Sequence, residues 1–212
     1  ETGANLQSLR FLDTGGAQRP EQHPAKAVKA VPHILTGTSY GLTESGGLGI
    51  TMRGTAYLDN PLAAGRPTPP LLEIKIVDEQ YEQVPVGQVG ELLLKSPANM
   101  RCYLNRPEDT AQTLRDGWLS TGDLAKIDEE GIIYIVDRKK NIIIRGGENI
   151  SCAEVQTVLH YHPDVVEVCV FPIADDRLGE TVGAAVFISN STKTSGDELR
   201  SFLRQYLAEY KI

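Results

Sequence analysis

Three short segments of the chain have residue types suited to binding a nucleotide. "TGGA" at 14–17 offers bare backbone that a flat ring can approach closely, since glycine has no Cβ. "YGLTE" at 40–44 offers an aromatic face, a hydroxyl and a carboxylate. "STGD" at 120–123 ends in Asp123, whose carboxylate could accept hydrogen bonds from a vicinal diol. Each segment alone has the composition of an ordinary turn, but together they predict one nucleotide site.

A fourth segment, "DRKKNIIIRGGENI" at 137–150, combines three adjacent cations with paired glycines. A basic triplet by itself is typical of a solvated surface, and Gly146-Gly147 by itself is typical of a turn. A run of cations also suits a segment that crosses the mouth of a site for an anionic nucleotide. The fourth segment therefore indicates a nucleotide site only in combination with the three segments that precede it.

The N-terminal third has the pattern of a β-α-β unit. "LRFLDTGG" predicts a short strand and a turn, Pro20 opens a helix to about Val31, and "HILTGTSY" predicts a second strand. Such units form parallel sheets, which bind ligands at the carboxyl ends of their strands. From Asp59 to Pro70 the composition shifts to Pro, Gly and Ala, which indicates a connector.

The middle of the chain alternates apolar and polar residues with the period of a β-strand. "LLEIKIV" and "GELLLK" predict strands, and "LAKIDEEGIIYIVD" predicts a hairpin across 128–131. Short antiparallel strands at this spacing predict a small barrel or meander.

The last third predicts a small α+β unit. Ser151 with Glu154 makes a capping box for a helix to about His160, and Ser195 with Glu198 makes another for a helix to about Tyr210. "VVEVCVF" and "TVGAAVFIS" predict two strands between them.

The predicted fold class is therefore α/β and α+β in three parts. Residues 1–65 are the remnant of a mixed or parallel-sheet subdomain, and 66–139 form a β-barrel-like subdomain. Residues 140–212 form an incomplete, mobile C-terminal α+β domain.

Composition excludes several classes of protein. A chain of 212 residues that is 41% hydrophobic can bury a core, but its net charge of −7 argues against a nucleic-acid binder. The longest apolar runs are too short to cross a bilayer, so we expect no transmembrane segment. Three cysteines without CxxC spacing fit a reducing cytoplasm better than a disulfide framework or a zinc site.

"GGA", "YGLTE", "STGD" and "DRKK…GGEN", in this order, resemble the core motifs of the adenylate-forming superfamily, whose members include acyl-CoA synthetases, adenylation domains of peptide synthetases and luciferases. The resemblance spans nearly the whole chain and is greatest to fatty or aryl acyl-CoA synthetases. It implies that a carboxylic acid is activated by ATP and Mg²⁺ as an acyl-adenylate. The acyl group is then transferred to the thiol of coenzyme A.

The resemblance assigns roles by position. The positions implied for ATP or AMP are Gly15, Gly16, Ala17, Tyr40, Gly41, Thr43, Asp123 and Arg138. In this scheme Tyr40 stacks on the base, Asp123 grips the ribose hydroxyls and Thr43 hydrogen-bonds a phosphate oxygen. Thr43 and Glu44 are the catalytic positions, and Glu44 is the Mg²⁺ ligand.

In the fourth segment the resemblance makes Lys140 a hinge about which the small domain swings between the two half-reactions. Gly146 and Gly147 would meet the pantetheine arm of coenzyme A, where a side chain would block the thiol. Glu148 would orient that loop.

Two elements of the family pattern are missing from the sequence. It has neither a Ser/Thr/Gly-rich phosphate loop ending in Lys-Gly nor the late catalytic Lys. Both ends look cut, so we expect a fragment that is nearly inactive by itself, because each lost electrostatic contact costs about 10²–10³ in rate. We also expect an incomplete sheet with exposed apolar surface to promote self-association.

Two alternatives remain open. In one, the acyl group is transferred to a carrier-protein thiol or an amine. In the other, the chain is a nucleotide-binding or interaction module without ligase chemistry.

Overall fold

A computed structural model describes residues 5–16, 20–47, 49–189 and 194–212. The chain divides into two compact units, Glu1–Ile135 and Val136–Ile212. Among the described residues, no helix combines the length and apolar character needed to cross a membrane.

The first sheet of the first unit begins with the predicted β-α-β pattern. Its elements are β1 (Phe11–Gly15), α1 (His23–Ala30), β2 (Leu35–Tyr40), β3 (Ile50–Arg53), α2 (Thr55–Asp59) and β4 (Arg66–Pro67). The strand order is β1-β2-β3-β4. β1 and β2 are parallel as predicted, whereas β3 and β4 are antiparallel to their neighbours, so the sheet is mixed. The helix begins slightly later than Pro20, with a proline in its first turn.

The second sheet of this unit is antiparallel, in agreement with the period-two pattern. Its elements are β5 (Glu73–Val77), β6 (Gly90–Lys95), α3 (Pro107–Thr113), β7 (Leu114–Arg115), β8 (Trp118–Ile127) and β9 (Ile133–Arg138), whose last three residues belong to the second unit. The order is β5-β6-β8-β7, with β9 also pairing with β8. The predicted hairpin at 128–131 is confirmed. In its turn the Asp128 carboxylate accepts the N–H groups of Glu130 and Ile132, and Gly131 has φ +78°.

One apolar core holds these two sheets together. It contains Ile50 from β3 together with fully buried leucines of β6 and β8 and with Ile133 of β9. Burial of each such side chain contributes about 1.5–3 kcal/mol. The core therefore holds the carboxyl end of β2, where Tyr40 lies, and the middle of β8, where Asp123 lies.

The second unit is the predicted α+β element, extended by a hairpin that the sequence analysis treated only as a turn. Its elements are β10 (Ile142–Arg145), β11 (Glu148–Ser151), α4 (Cys152–Leu159), β12 (Val165–Asp175), β13 (Gly179–Ile188) and α5 (Gly196–Leu203). The sheet order is β11-β10-β13-β12, all antiparallel. Its core contains residues from β10 and β11, from both helices and from β12, with Ile143, Ile150 and Val155 among the most deeply buried.

The two predicted capping boxes differ in outcome. The box of α5 is complete, because Ser195 and Glu198 bond reciprocally. In α4, Ser151 Oγ accepts the N–H of Glu154, but the Glu154 carboxylate binds Lys211 Nζ at 2.6 Å instead of reaching back.

The last helix is shorter than predicted. It ends at Leu203 instead of near Tyr210. Beyond it, Gln205 and Tyr206 make i→i−3 bonds that tighten the chain. An ion pair of Arg204 with Glu209 folds the segment back.

Candidate functional site

Two of the predicted nucleotide segments meet in the first unit. The hydroxyl of Tyr40, the last residue of β2, donates a hydrogen bond to Oδ2 of Asp123 in β8 at 2.6 Å. The two residues are 83 positions apart in sequence, and Asp123 is only 3% exposed. Folding therefore brings together an aromatic ring and a carboxylate that the sequence could connect only by analogy.

A β-bulge directs Asp123 toward Tyr40. Three residues of β8, Thr121–Asp123, oppose the single Leu92 of β6, because the register shifts between Glu91 and Leu93. Thr121 Oγ1 donates to the Leu92 carbonyl at 2.7 Å and accepts the Asp123 N–H at 3.0 Å. Gly122 has φ +70°, and its N–H donates to Oε1 of the buried Glu91. Bulges of this kind change the direction of a side chain relative to its strand.

The glycines at the end of β1 lie at the same sheet edge as Tyr40. Gly15 pairs with Ser39 in the parallel register, and a Cβ on Gly15 would lie 2.8 Å from the Ser39 carbonyl oxygen. Gly16 has φ +81° with open space where a side chain would be. The Cβ position is therefore open at Gly16 and filled by Ser39 at Gly15, and the role of both glycines stays a prediction. Ala17 lies outside the described residues.

A single turn of 3₁₀ helix, Thr43–Ser45, presents the proposed catalytic pair. The buried Ser45 hydroxyl accepts the N–H of Leu42 at 3.1 Å and donates to its carbonyl at 3.0 Å, which closes the turn. Gly41 packs against Gly47, where a Cβ would be 3.0 Å from a backbone oxygen. Thr43 is exposed and Glu44 half-buried.

Glu44 is bonded to a residue that the sequence analysis missed. The Tyr103 hydroxyl donates to Glu44 Oε1 at 2.8 Å. Burial, and then the hydrogen bond to Glu44, raise the pKa of Tyr103, so the phenol stays protonated and remains a donor at neutral pH. No motif identified Tyr103, because the bond joins residues 59 positions apart.

Glu44 could contribute a ligand to Mg²⁺. A partly exposed carboxylate is a hard oxygen donor, and Mg²⁺ is usually held by one or two carboxylates together with phosphate oxygens and water. Across the described part of the chain, no group of three or more His, Cys, Asp or Glu side chains could hold a metal.

The second unit holds the other predicted residues. Arg138, Lys140 and Glu148 are exposed, and Lys140 lies in the 3₁₀ turn Lys139–Asn141. Gly146 and Gly147 form the two-residue loop between β10 and β11, with Arg145 opposite Glu148. Their φ angles, +59° and +91°, are the left-handed values that such a hairpin requires.

Asp137 anchors this segment, a role that the sequence analysis did not assign. It is 7% exposed, and its carboxylate accepts the Arg138 N–H at 2.7 Å, the Ser151 hydroxyl at 2.5 Å and the Ala153 N–H at 3.0 Å. It therefore caps the N-terminus of α4 from β9. The bond to Ala153 satisfies that residue's N–H, a different donor from the Ser151 N–H that the missing half of the capping box would bind.

The residues thus fall into two groups. Gly15, Gly16, Tyr40, Gly41, Thr43, Glu44 and Asp123 belong to the first unit, and Arg138, Lys140, Gly146, Gly147 and Glu148 to the second. Their roles stay predictions.

Family models of known proteins match both parts of the chain. The model described as "AMP-binding enzyme" matches residues 1–104, and the model described as "AMP-binding enzyme C-terminal domain" matches residues 154–212.

Several curated relatives are named as ligases or synthases of coenzyme A thioesters. The feruloyl-CoA synthase of an Amycolatopsis species is 36% identical over 99% of this chain and 42% of its own length. The long-chain-fatty-acid–CoA ligase of Bacillus subtilis is 38% identical over 98% of this chain and 37% of its own. The chain spans about two fifths of the length of these curated relatives.

Solved structures include close matches. O-succinylbenzoate coenzyme A synthetase from Bacillus subtilis, in complex with ATP and magnesium ion, matches with a TM-score of 0.87 and 32% identity. It covers all of this chain, which corresponds to 43% of that structure.

Proposed function

The chain belongs to the family of AMP-binding enzymes, and we propose that it is part of an ATP-dependent acyl-CoA ligase that activates a fatty or aryl carboxylic acid. The observation that carries the proposal is the hydrogen bond between Tyr40 and Asp123. It joins two of the four family motifs at the carboxyl end of β2, where Gly15 pairs with Ser39 and the Cβ position of Gly16 is open. The relatives named for feruloyl-CoA and for fatty acids support the class of acid.

In the proposed first step, a carboxylate oxygen attacks the α-phosphorus of ATP. The bond to the β-phosphate breaks, and pyrophosphate leaves with that electron pair. Tyr40 would stack on adenine and Asp123 would accept bonds from the ribose hydroxyls, so that both orient the phosphate chain. Thr43 would donate to a phosphate oxygen, and Mg²⁺ bound with help from Glu44 would neutralise phosphate charge. No nucleophile of the protein is required, since positioning and electrostatics reduce the barrier.

In the proposed second step, the thiol of coenzyme A loses its proton to solvent and its sulfur attacks the acyl carbon. The C–O bond to the phosphate breaks, and AMP leaves with that electron pair. Gly146 and Gly147 would border the pantetheine arm, Glu148 would orient their loop, and Lys140 would be the hinge between the half-reactions. The open space at the Cβ position of Gly147 supports a role in which a ligand approaches the backbone. Arg138 would contact the nucleotide.

A direct test uses the full-length protein with a panel of carboxylic acids labelled with ¹⁸O in the carboxylate. We expect acid-dependent release of pyrophosphate and one ¹⁸O atom in AMP, because the attacking oxygen stays on phosphorus. Label retained entirely in the acyl product, or release of inorganic phosphate instead, would contradict an acyl-adenylate.

The choice of acceptor and the alternative functions are outcomes of the same assay. Turnover with a carrier-protein thiol or an amine but not with coenzyme A would favour the first alternative. Nucleotide binding without pyrophosphate release would favour the non-catalytic module.

We propose further that the 212-residue chain alone is nearly inactive, because its sequence has no Lys-Gly phosphate loop. Phe11 on the edge strand β1 is 62% exposed beside its register partner Leu35, which is 39% exposed. This apolar pair supports the proposal that the chain self-associates. Light scattering that found only monomer would contradict it, as robust turnover by the chain would contradict inactivity. The three-part domain division and a cytoplasmic location stay predictions.

A further inference from the structure

We propose that Tyr103 is a positioning residue that fixes the carboxylate of Glu44 in the orientation needed to bind the nucleotide-associated Mg²⁺. The proposal rests on the function proposed above and adds one residue to that site. Its basis is the 2.8 Å bond from the Tyr103 hydroxyl to Glu44 Oε1. In the part of the chain that the structure describes, no hydrogen bond is made to the other carboxylate oxygen, which leaves that oxygen for a ligand.

Glu44 is bonded at two points to the segment that contains Tyr103. Its carbonyl accepts the Met100 N–H at 2.6 Å, while its side chain accepts the Tyr103 hydroxyl. With both backbone and carboxylate tied to residues 100–103, the side chain has few alternative rotamers. A free glutamate would lose that conformational entropy on binding a metal.

Tyr103 is itself held in place. Its N–H donates to Thr110 Oγ1 at 2.9 Å, and that hydroxyl donates to the Arg106 carbonyl at 2.8 Å. Thr110 lies in α3, so this helix holds the backbone of Tyr103 in place. The contact thus extends from α3 through Tyr103 to the turn that presents Glu44. Residues that hydrogen-bond a metal ligand set its orientation, and their loss typically weakens metal binding about 10–100-fold.

The test is Tyr103→Phe in the full-length protein, which removes one hydroxyl and keeps the ring. The readout is Mn²⁺ bound to the protein–ATP complex, measured by electron paramagnetic resonance, and ATP affinity with and without Mg²⁺, measured by calorimetry. We expect Mn²⁺ to bind about tenfold more weakly, with metal-free ATP affinity unchanged. A merely structural role would weaken ATP binding equally with and without metal, and that result would overturn the proposal.

The matched control is Tyr134→Phe. Tyr134 is a half-buried phenol of the same unit whose hydroxyl donates to Asn60 Oδ1 at 3.3 Å, away from the proposed site residues. Its loss should leave Mn²⁺ affinity unchanged. Equal weakening in the two variants would indicate a general loss of packing and would overturn the proposal.

A double-mutant cycle separates this inference from the proposed function. In a Glu44→Ala background, Tyr103→Phe should have little further effect on Mn²⁺ binding, because no carboxylate remains for Tyr103 to orient. A wild-type protein that binds no metal–ATP complex would refute the proposed function as well. If the wild type binds the complex and Tyr103→Phe binds it equally tightly, only the role of Tyr103 is refuted.

Discussion

The candidate residues of the two units are held in place by different kinds of contact. In the first, side chains distant in sequence hydrogen-bond each other, as Tyr40 does with Asp123 and Tyr103 with Glu44. In the second, the exposed Gly146-Gly147 loop is defined by its own backbone, within a hairpin of eight paired residues. Distant contacts to this segment also exist: the buried Asp137 binds Ser151 and Ala153, and the Gly146 N–H donates to the Leu178 carbonyl at 2.8 Å.

This difference predicts different responses to substitution. A site made of tertiary side-chain bonds depends on the fold of the whole unit, and conservative substitutions can remove single bonds. A site made of backbone depends on local conformation and on the absence of side chains. Three substitutions and one thiol titration follow, in descending order of expected effect.

Asp137→Ala should give the largest loss of stability. It leaves three donors, on Arg138, Ser151 and Ala153, without their acceptor in a buried location. We expect the free energy of unfolding of the second unit to fall by about 3 kcal/mol, measured by chemical denaturation. Asp197→Ala, at a residue 94% exposed in its side chain, is the control and should cost little. Equal effects would show that Asp137 is no anchor.

Gly147→Val should slow thioester formation about 100-fold in the full-length protein, because the side chain would displace the approaching thiol. Adenylation, followed by pyrophosphate release, should change little. The matched control is Gly87→Val in the first unit, which has φ +86° and equally open space at its Cβ position. If both variants slow thioester formation alike, strain and not the missing side chain explains the effect.

Lys140→Pro should slow thioester formation about tenfold more than adenylation, because proline fixes one backbone torsion at the proposed hinge. Rapid-quench measurement of the two half-reactions provides the comparison. Lys140→Ala removes the charge but keeps backbone freedom, so it should resemble the wild type more closely. Equal slowing of both steps by Lys140→Pro would count against a hinge.

Cys152 should show the smallest effect, confined to high pH. Burial is the main cause that raises the pKa of its thiol from 9.0 to about 11. The thiol therefore stays protonated in the folded state when the unfolded chain would already ionise. Its contribution to stability is present below about pH 9 and is lost as the pH rises toward 11.

Thiol titration at pH 8 checks the burial of Cys152 on which this prediction depends. The exposed Cys102 and Cys169 should react in the native chain, and Cys152 only after unfolding. Three equally reactive thiols in the native state would contradict the burial of Cys152.

Local chemistry made much of the fold predictable from the sequence. The Asp128–Gly131 turn and the Ser195 capping box form within a few residues, so their sequence patterns are sufficient. The parallel pairing of β1 with β2 followed from the β-α-β rule. The period-two segments indicated short strands joined by turns, and such strands pair antiparallel, as β5, β6 and β8 do.

Contacts between distant residues could not be predicted. The Tyr103–Glu44 bond and the capping of α4 by Asp137 depend on which segments the folded chain brings together, and the bulge at 121–123 depends on the register of β6 and β8. The sequence marks Glu44 and Asp123 as candidates but contains no local signal for what holds them. The half-formed capping box at Ser151 shows the same limit, because the distant Lys211 binds its glutamate.

The most direct test of the account is the ATP affinity of the full-length protein with and without the Asp123 carboxylate. We expect Asp123→Ala to weaken ATP binding at least about tenfold, since hydrogen bonds to a charged group contribute about 1.5–3 kcal/mol. Tyr40→Phe removes the hydrogen bond from Tyr40 to Asp123 but keeps the Asp123 carboxylate, so it should weaken ATP binding less. The control Asp13→Ala, at an exposed carboxylate paired with Arg53, should leave affinity unchanged. If Asp123→Ala folds and binds ATP as tightly as the wild type, the nucleotide does not bind where Tyr40 of β2 meets Asp123 of β8.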